Sequence, residues 1–336
     1  MKKGIKNLIY FLGSKKYIGS LISPFQGKGA ILCYHRVVDQ NTFDKELSPQ
    51  KNLLISTNDF DNQIHYLSKF FSIISIDDMS NHIKSKSKEF KVSITFDDGY
   101  KDNLDNALPI LEQYNIPATI YVTTRFPEGD CRMWWYEIWE IIQSLDVVLF
   151  SWKNQKFNLK LNSYSKKIYA YNLLCNLVAK QNYEDQNKII LLIGGVDYKQ
   201  KNYSGLCLSW DEIKKLSKNR LITIGSHSHT HSSLSHLDDE KVKSELIQSK
   251  KLIEKNINNS VHHLAYPFGT QTDVSEREFQ YANDVGHYSA VVTRPNKIND
   301  STDLFSIPRI SAGNIDLNTL KAKVSGIDNL IYLFKS

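Results

Sequence analysis

The chain has 336 residues, 41% of them hydrophobic and 23% charged, and its 42 basic and 36 acidic side chains leave a formal net charge of +6. That length suits one large α/β domain or two small ones, with enough apolar residues for a sizeable core. So mild a positive excess does not describe a dedicated nucleic-acid binder, and no DNA- or RNA-binding motif is present.

The charge is nonetheless uneven. Residues 1–27 form a basic N-terminal arm in which Lys2, Lys3, Lys6, Lys15 and Lys16 are mixed with apolar residues and no acid appears. The apolar stretch 8–12 is too short to span a membrane, and without a clear cleavage site after it a signal peptide fits poorly. Two readings stay open for this arm: a helix docked on the domain, or a basic amphipathic segment resting on an anionic membrane. Residues 28–336 read as the main domain. Cys33, Cys131, Cys175 and Cys207 show no paired spacing and read as reduced, mostly buried thiols of a cytoplasmic protein.

Along the main domain, "GAILCYHRVV" (29–38) predicts a buried strand. A cap at Ser56 or Thr57, with Phe60, Ile64 and Leu67 at helical spacing, predicts a helix. "FSIISI" (71–76) and "KVSITF" (91–96) predict strands around a short helix over 77–86. A helix over 103–115, interrupted or kinked at Pro109, precedes the strand "PATIYVTT" (117–124). Strands alternating with helices imply a parallel sheet.

The alternation stops at 128–206. There an aromatic-rich helix ("MWWYEIWEIIQSL"), a hairpin ("VVLFSWKNQKFNLKLN") and a further helical stretch read as an insertion, either packing on the domain or shaping a substrate cleft. It resumes with a helix capped by Ser209, a strand over 221–225, a long solvated helix, and strands at "HHLAYPF", "YSAVV" and "LFSIPRI". About seven or eight strands make a closed or nearly closed α/β barrel the economical fold.

Two stretches carry chemistry. "SITFDDGYKDN" (93–103) ends a buried-looking strand in adjacent acids, Asp97 and Asp98, which is costly unless something positive lies beside them. "GSHSHTHSSLSH" (225–236) follows another strand, and His227 and His231 are spaced to reach one divalent ion. In α/β barrels the active site gathers at the C-terminal ends of the strands. One aspartate would then bind the metal, and the other, ionised beside it, would act as a base.

These motifs strongly resemble those of the polysaccharide deacetylase (NodB-like) family: "TFDDG", "GSH-x3-H-x2-L", and "AYPFG" (265–269) with Ala265 where the family has arginine. The resemblance runs from Gly29 to about Ile315, outside the insertion. It implies a distorted (β/α) barrel of about seven strands and a divalent metal, most often Zn2+, held by Asp98, His227 and His231. It also implies Asp97 as catalytic base, and Pro267, Phe268 and Gly269 as groove wall. The backbone N–H of Tyr100 would help hold the oxyanion.

The family's late leucine–histidine motif is absent. "ILCYHRV" is similar to the opening of a subgroup in which an early histidine is the general acid, which points to His35. Arg309 in "IPRI" would replace the missing arginine beside Asp97, and His236 and His287 are weaker alternatives to His35. The expected activity is removal of an N-acyl group, acetyl in the first instance, from an amino sugar of a surface-polysaccharide or lipopolysaccharide precursor. The substrate could be lipid-linked, met in the cytoplasm or at the inner face of the membrane. A deformylase, a non-catalytic carbohydrate-binding protein and, more remotely, an iron oxygenase are the alternatives. The oligomeric state stays open.

Overall fold

The structure, a computed structural model, describes residues 26–46, 49–294 and 296–327, so nearly all of the basic arm lies outside the described residues. In chain order the strands are β1 (Gly29–Tyr34), β2 (Arg36–Val38), β3 (Leu54–Ser56), β4 (Ser72–Ile73), β5 (Lys91–Phe96), β6 (Ala118–Val122), β7 (Val147–Trp152), β8 (Gln155–Lys160), β9 (Ile222–Ser226), β10 (His263–Ala265), β11 (Ser289–Val292) and β12 (Ile307–Ser311). The α-helices are α1 (Gln40–Lys45), α2 (Thr57–Phe70), α3 (Ile76–Lys84), α4 (Leu108–Tyr114), α5 (Trp134–Ser144), α6 (Tyr164–Ala179), α7 (Tyr183–Gly194), α8 (Trp210–Leu216), α9 (Asp239–Ile257), α10 (Glu276–Asp284) and α11 (Leu317–Val324).

Strand β1 is buried at every position, as a parallel strand covered on both faces must be. Seven parallel strands close on themselves in the order β1, β12, β11, β10, β9, β6, β5, with β5 returning to β1. The short β4 pairs with the start of β5 outside this ring. The result is the expected (β/α) barrel.

Alternation along each strand sorts its side chains. Leu32, Tyr34, Ile94 and Phe96 face outward and pack with Phe60, Ile64 and Leu67 of α2, the predicted amphipathic face. Ile31, Tyr121, Ala265, Val291 and Ile307 come from five strands and meet in the interior. Register then carries polar residues inward near the C-terminal end: Cys33 lies opposite Thr95, and Arg309 opposite the inward Ile31.

The helix is interrupted at Pro109 by a change of winding: residues Asn103–Ala107 form a π-helical segment that runs through helical backbone at Ala107 and Leu108 into α4, which holds Pro109 in its first turn. The strand predicted at 71–76 shrinks to Ser72–Ile73 because α3 begins early, capped by Ser75. Strands β2 and β3 pair with each other and were not legible as a separate ladder.

Residues 134–194 hold α5, the β7–β8 hairpin, α6 and α7, which surround their own apolar cluster of Trp135, Ile138, Leu174 and Ile190. That cluster includes Tyr100 and has Phe268 against it, so the insertion packs onto the end of the barrel where the strands finish.

At the opposite end lies His287, before β11. Its ring is buried and neither nitrogen has a hydrogen-bond partner. Burial, reinforced by the nearby Lys250, pushes its pKa from 6.5 down to about 3. It belongs to the scaffold and is not a candidate acid for a site at the other end. Below about pH 6.5 the unfolded chain takes up a proton that the folded ring refuses, so stability falls with acidification by about 1.4 kcal/mol per pH unit from this group. Urea unfolding of wild type and His287→Phe at about pH 7 and about pH 5.5 checks this. The variant should lose less stability between the two, and an identical loss in both proteins would contradict it.

Candidate active site

Asp97 follows β5 directly and continues its alternation, so its carboxylate enters the barrel beside Thr95 and Cys33. Arg309 meets it with two parallel bonds, Nη1 donating to Oδ1 at 2.6 Å and Nη2 to Oδ2 at 2.7 Å. Both side chains are buried, which makes the pair strong and its separation costly. Burial by itself would raise the Asp97 pKa. The charge of Arg309 and its paired hydrogen bonds outweigh burial and bring it down to about 2. Thr95 accepts a bond from Arg309 at 3.2 Å and donates to the Leu32 carbonyl at 2.8 Å, fixing the guanidinium in place. Asp97 is therefore an ionised, oriented carboxylate.

At Asp98 the chain turns sharply. Its φ of 72° lies in the left-handed region, and the next residue, Gly99, has φ 71°. A non-glycine residue there is strained, and such strain concentrates at functional sites. Asp98 Oδ1 reaches 3.4 Å from His227 Nε2 and 3.2 Å from His231 Nε2. His231 also has a left-handed backbone, φ 61°, and its N–H donates to Ser228 Oγ at 3.1 Å. His227 Nδ1 lies 2.7 Å from the Ala265 carbonyl, which can only accept, so Nδ1 carries the proton and Nε2 turns its lone pair toward Asp98.

The donor set suits a cation. Asp98 Oδ1 is buried with no hydrogen-bond partner, and it faces two imidazole nitrogens, of which His227 Nε2 offers a lone pair whenever that ring is neutral. One ligand atom from each of the three residues lies within 4.8 Å of the others. Two imidazoles and one carboxylate at a cavity edge leave coordination positions open. Among the described residues Cys33, His35 and Asp97 form a second group of similar size. It suits a cation poorly: Arg309 occupies both Asp97 oxygens, and burial raises the Cys33 thiol well above its usual range, so it keeps its proton.

Both aspartates open into a cavity of about 350 Å3 together with His35, His227 and His231. The facing wall is aromatic. Trp134 and Trp135 come from α5, Tyr171 and Asn172 from α6, and Phe268 from the loop after β10. Phe268 and Trp135 place their rings 4.9 Å and 5.0 Å from that of His231. Sequence reasoning singled out the aromatic run of α5 without assigning it a contact with the metal-ligand histidine.

Of the predicted groove wall only Phe268 lines the cavity. Pro267 and Gly269 support it: the Gly269 N–H donates to the Pro267 carbonyl at 2.6 Å, and a Cβ on Gly269 would strike the Thr293 nitrogen at 2.8 Å. The Tyr100 side chain is not in the cavity wall. It is fully buried, with the Arg36 guanidinium 5.3 Å over its ring, so any contact with substrate falls to its backbone. His35 lines the cavity, and its carbonyl accepts from Asn103 Nδ2 at 2.7 Å. Burial lowers its pKa against the pull of Asp98 and Asp97, so the ring rests neutral. His229 is bonded to Thr124 and His236 to Ser233, away from the cavity.

A family model described as polysaccharide deacetylase matches residues 84–289, more than half of the chain. The chain belongs to the polysaccharide deacetylase family. As a member it is a hydrolase of carbon–nitrogen bonds whose substrate class is N-acetylated carbohydrate. The barrel is similar to that of the deacetylase PplD from Streptococcus pyogenes, solved with acetate, at TM-score 0.55 and 18% identity over 87% of this chain and 95% of that one. It is also similar to IcaB from Ammonifex degensii, at 0.54 and 15% over 89% and 97%. A de-N-acetylase from Aggregatibacter actinomycetemcomitans gives 0.52 and 18% over 87% and 98%. At such identities the likeness shows the fold. Comparison with curated protein sequences finds no match.

Replacing Arg309 separates the two influences on Asp97. In Arg309→Met burial acts unopposed by the guanidinium, so the Asp97 pKa rises from about 2. The carboxylate then protonates at higher pH, and the acid limb of the activity profile moves upward. Because the native pKa is depressed, the stability that the pair contributes is present above about 3.8 and lost as pH falls toward 2. Removing one partner of such a buried pair costs about 3–5 kcal/mol. A pH–rate profile of Arg309→Met beside Arg309→Lys, which keeps the charge without the fork, measures the shift. An acid limb unmoved in both variants would contradict the assignment.

Proposed function

We propose that the protein removes an N-acetyl group from an amino sugar in a surface-polysaccharide or lipopolysaccharide precursor, using a divalent cation, Zn2+ by preference, held by Asp98, His227 and His231. The carrying observation is Asp97, clamped by Arg309 and lying one residue from a convergent carboxylate–imidazole set on the same cavity. A cation bound there supplies positive charge that polarises the acyl carbonyl and acidifies an incoming water. Every other part of the chemistry belongs to the chain.

Asp97 accepts the proton of the attacking water, and Arg309 keeps its oxygens aimed and unprotonated until then. The backbone N–H of Tyr100, after the strained Asp98–Gly99 turn, is the donor nearest in sequence for the developing oxyanion. His35 hands a proton to the departing nitrogen. Because its ring is neutral beforehand, that proton comes from the reaction itself, by way of Asp97, whose carboxylate lies within 4.8 Å of a His35 nitrogen.

A cavity of about 350 Å3, walled by the insertion, favours a single sugar with its acyl group over the length of a polymer, which supports a precursor as substrate. The same chemistry would remove a formyl group. We place the reaction in the cytoplasm or at the inner face of the membrane, where a lipid-linked sugar would be met.

Release of acetate from N-acetylated precursor sugars, with and without chelator, tests this reading. Chelation should abolish release and a divalent cation restore it. Asp97→Asn should lower turnover by about 10²–10⁴-fold while metal analysis still finds the cation. Activity that survives chelation, or full activity in Asp97→Asn, would overturn it.

A further inference from the structure

The β7–β8 hairpin has two different faces. Val148 and Phe150 of β7 and Phe157 of β8 turn inward and are buried, the two phenylalanines stacked at 4.5 Å. Direct cross-strand pairing puts Val147 opposite Lys160, Leu149 opposite Asn158 and Ser151 opposite Lys156, and paired residues share a face. All six are exposed, Leu149 at 62% and Val147 at 40%. Beside the hairpin, Lys160 and Asn158 line a groove of about 390 Å3 with Lys166 and the exposed Tyr169 of α6. No carboxylate lies on this hairpin face or in the groove, and Asp146 stands at the hairpin's base.

We propose that this face docks on an anionic phospholipid surface. Apolar and aromatic side chains flanked by long basic ones are what a bilayer interface accommodates. The apolar tips enter the boundary region, and the lysine stems follow them while their amines stay with the headgroups. A second copy of the chain is a poor occupant, since a symmetric contact would bring two lysine-bearing faces together with no carboxylate on either to pair them. The insertion that carries the face also supplies Trp134, Trp135, Tyr171 and Asn172 to the cavity, so docking would anchor the unit that walls the site. The benefit to catalysis rests on the reading that the substrate is lipid-linked, whereas the surface itself does not.

The test therefore uses vesicles without substrate. Full-length protein is co-sedimented with phosphatidylcholine vesicles with or without about 30% phosphatidylglycerol, at low and high salt. It should bind the anionic vesicles and release them as salt rises. Each lysine near such a surface contributes about fivefold in binding, so the double variant Lys156→Glu, Lys160→Glu should weaken it by more than tenfold. Leu149→Asp should weaken it as well, and both variants should hydrolyse a water-soluble substrate like wild type. No binding to anionic vesicles would overturn the proposal. So would variants that bind as wild type does, which would place the contact elsewhere, in the basic arm for example. A dimer broken by Leu149→Asp with vesicle binding intact would make the face an interface between copies. Loss of vesicle binding with hydrolysis preserved leaves the enzymatic reading untouched.

Discussion

A buried, two-pronged bond between Arg309 and Asp97 governs the rest of the site. Two adjacent carboxylates at the tip of a buried strand repel each other, and burial makes both unfavourable as anions. The protein resolves the two separately. Asp97 receives a guanidinium, which leaves it ionised with its oxygens held in place. Asp98, thrown to the other side by a left-handed backbone, receives two imidazoles and the place for a cation between them. Neighbours in sequence thus come to have different chemistry, one oxygen donor for a metal and one base.

That division depends on the barrel. Arg309 lies on β12 and Asp97 just beyond β5, two strands that flank β1 on its opposite sides, so β1, paired with both, brings them together across the barrel interior. His227 comes from the end of β9, and its tautomer is set by the carbonyl of Ala265 on β10. The site is accordingly a property of four or five strand ends held in register, and disturbing their closure would disperse it.

Much of this was legible in the sequence because the informative features are local. Strand runs ending in "FDDG" and "GSHSHTH" announced a carboxylate–histidine site, and the strand–helix alternation announced the barrel. Arg309 was reachable because the missing arginine of "AYPFG" demanded a substitute at some other strand end. Less legible were features that depend on distance in space. Trp135 beside His231 is an inter-element contact with no sequence spacing to reveal it. Pro267 read as a site wall, yet it stands behind Phe268 and supports the turn that holds it. Pro109 marked the interruption of its helix, but the π-helical winding before α4 leaves no mark in hydrophobic periodicity.

Two clusters of ligand atoms lie side by side, and the account stands on which of them takes the cation. Anomalous diffraction at the zinc edge, from crystals grown with Zn2+, decides this directly. The account predicts one strong peak bounded by Asp98, His227 and His231, with Asp97 still paired to Arg309. A peak among Cys33, His35 and Asp97, with the Arg309 pair broken, would contradict it, as would no peak at either place.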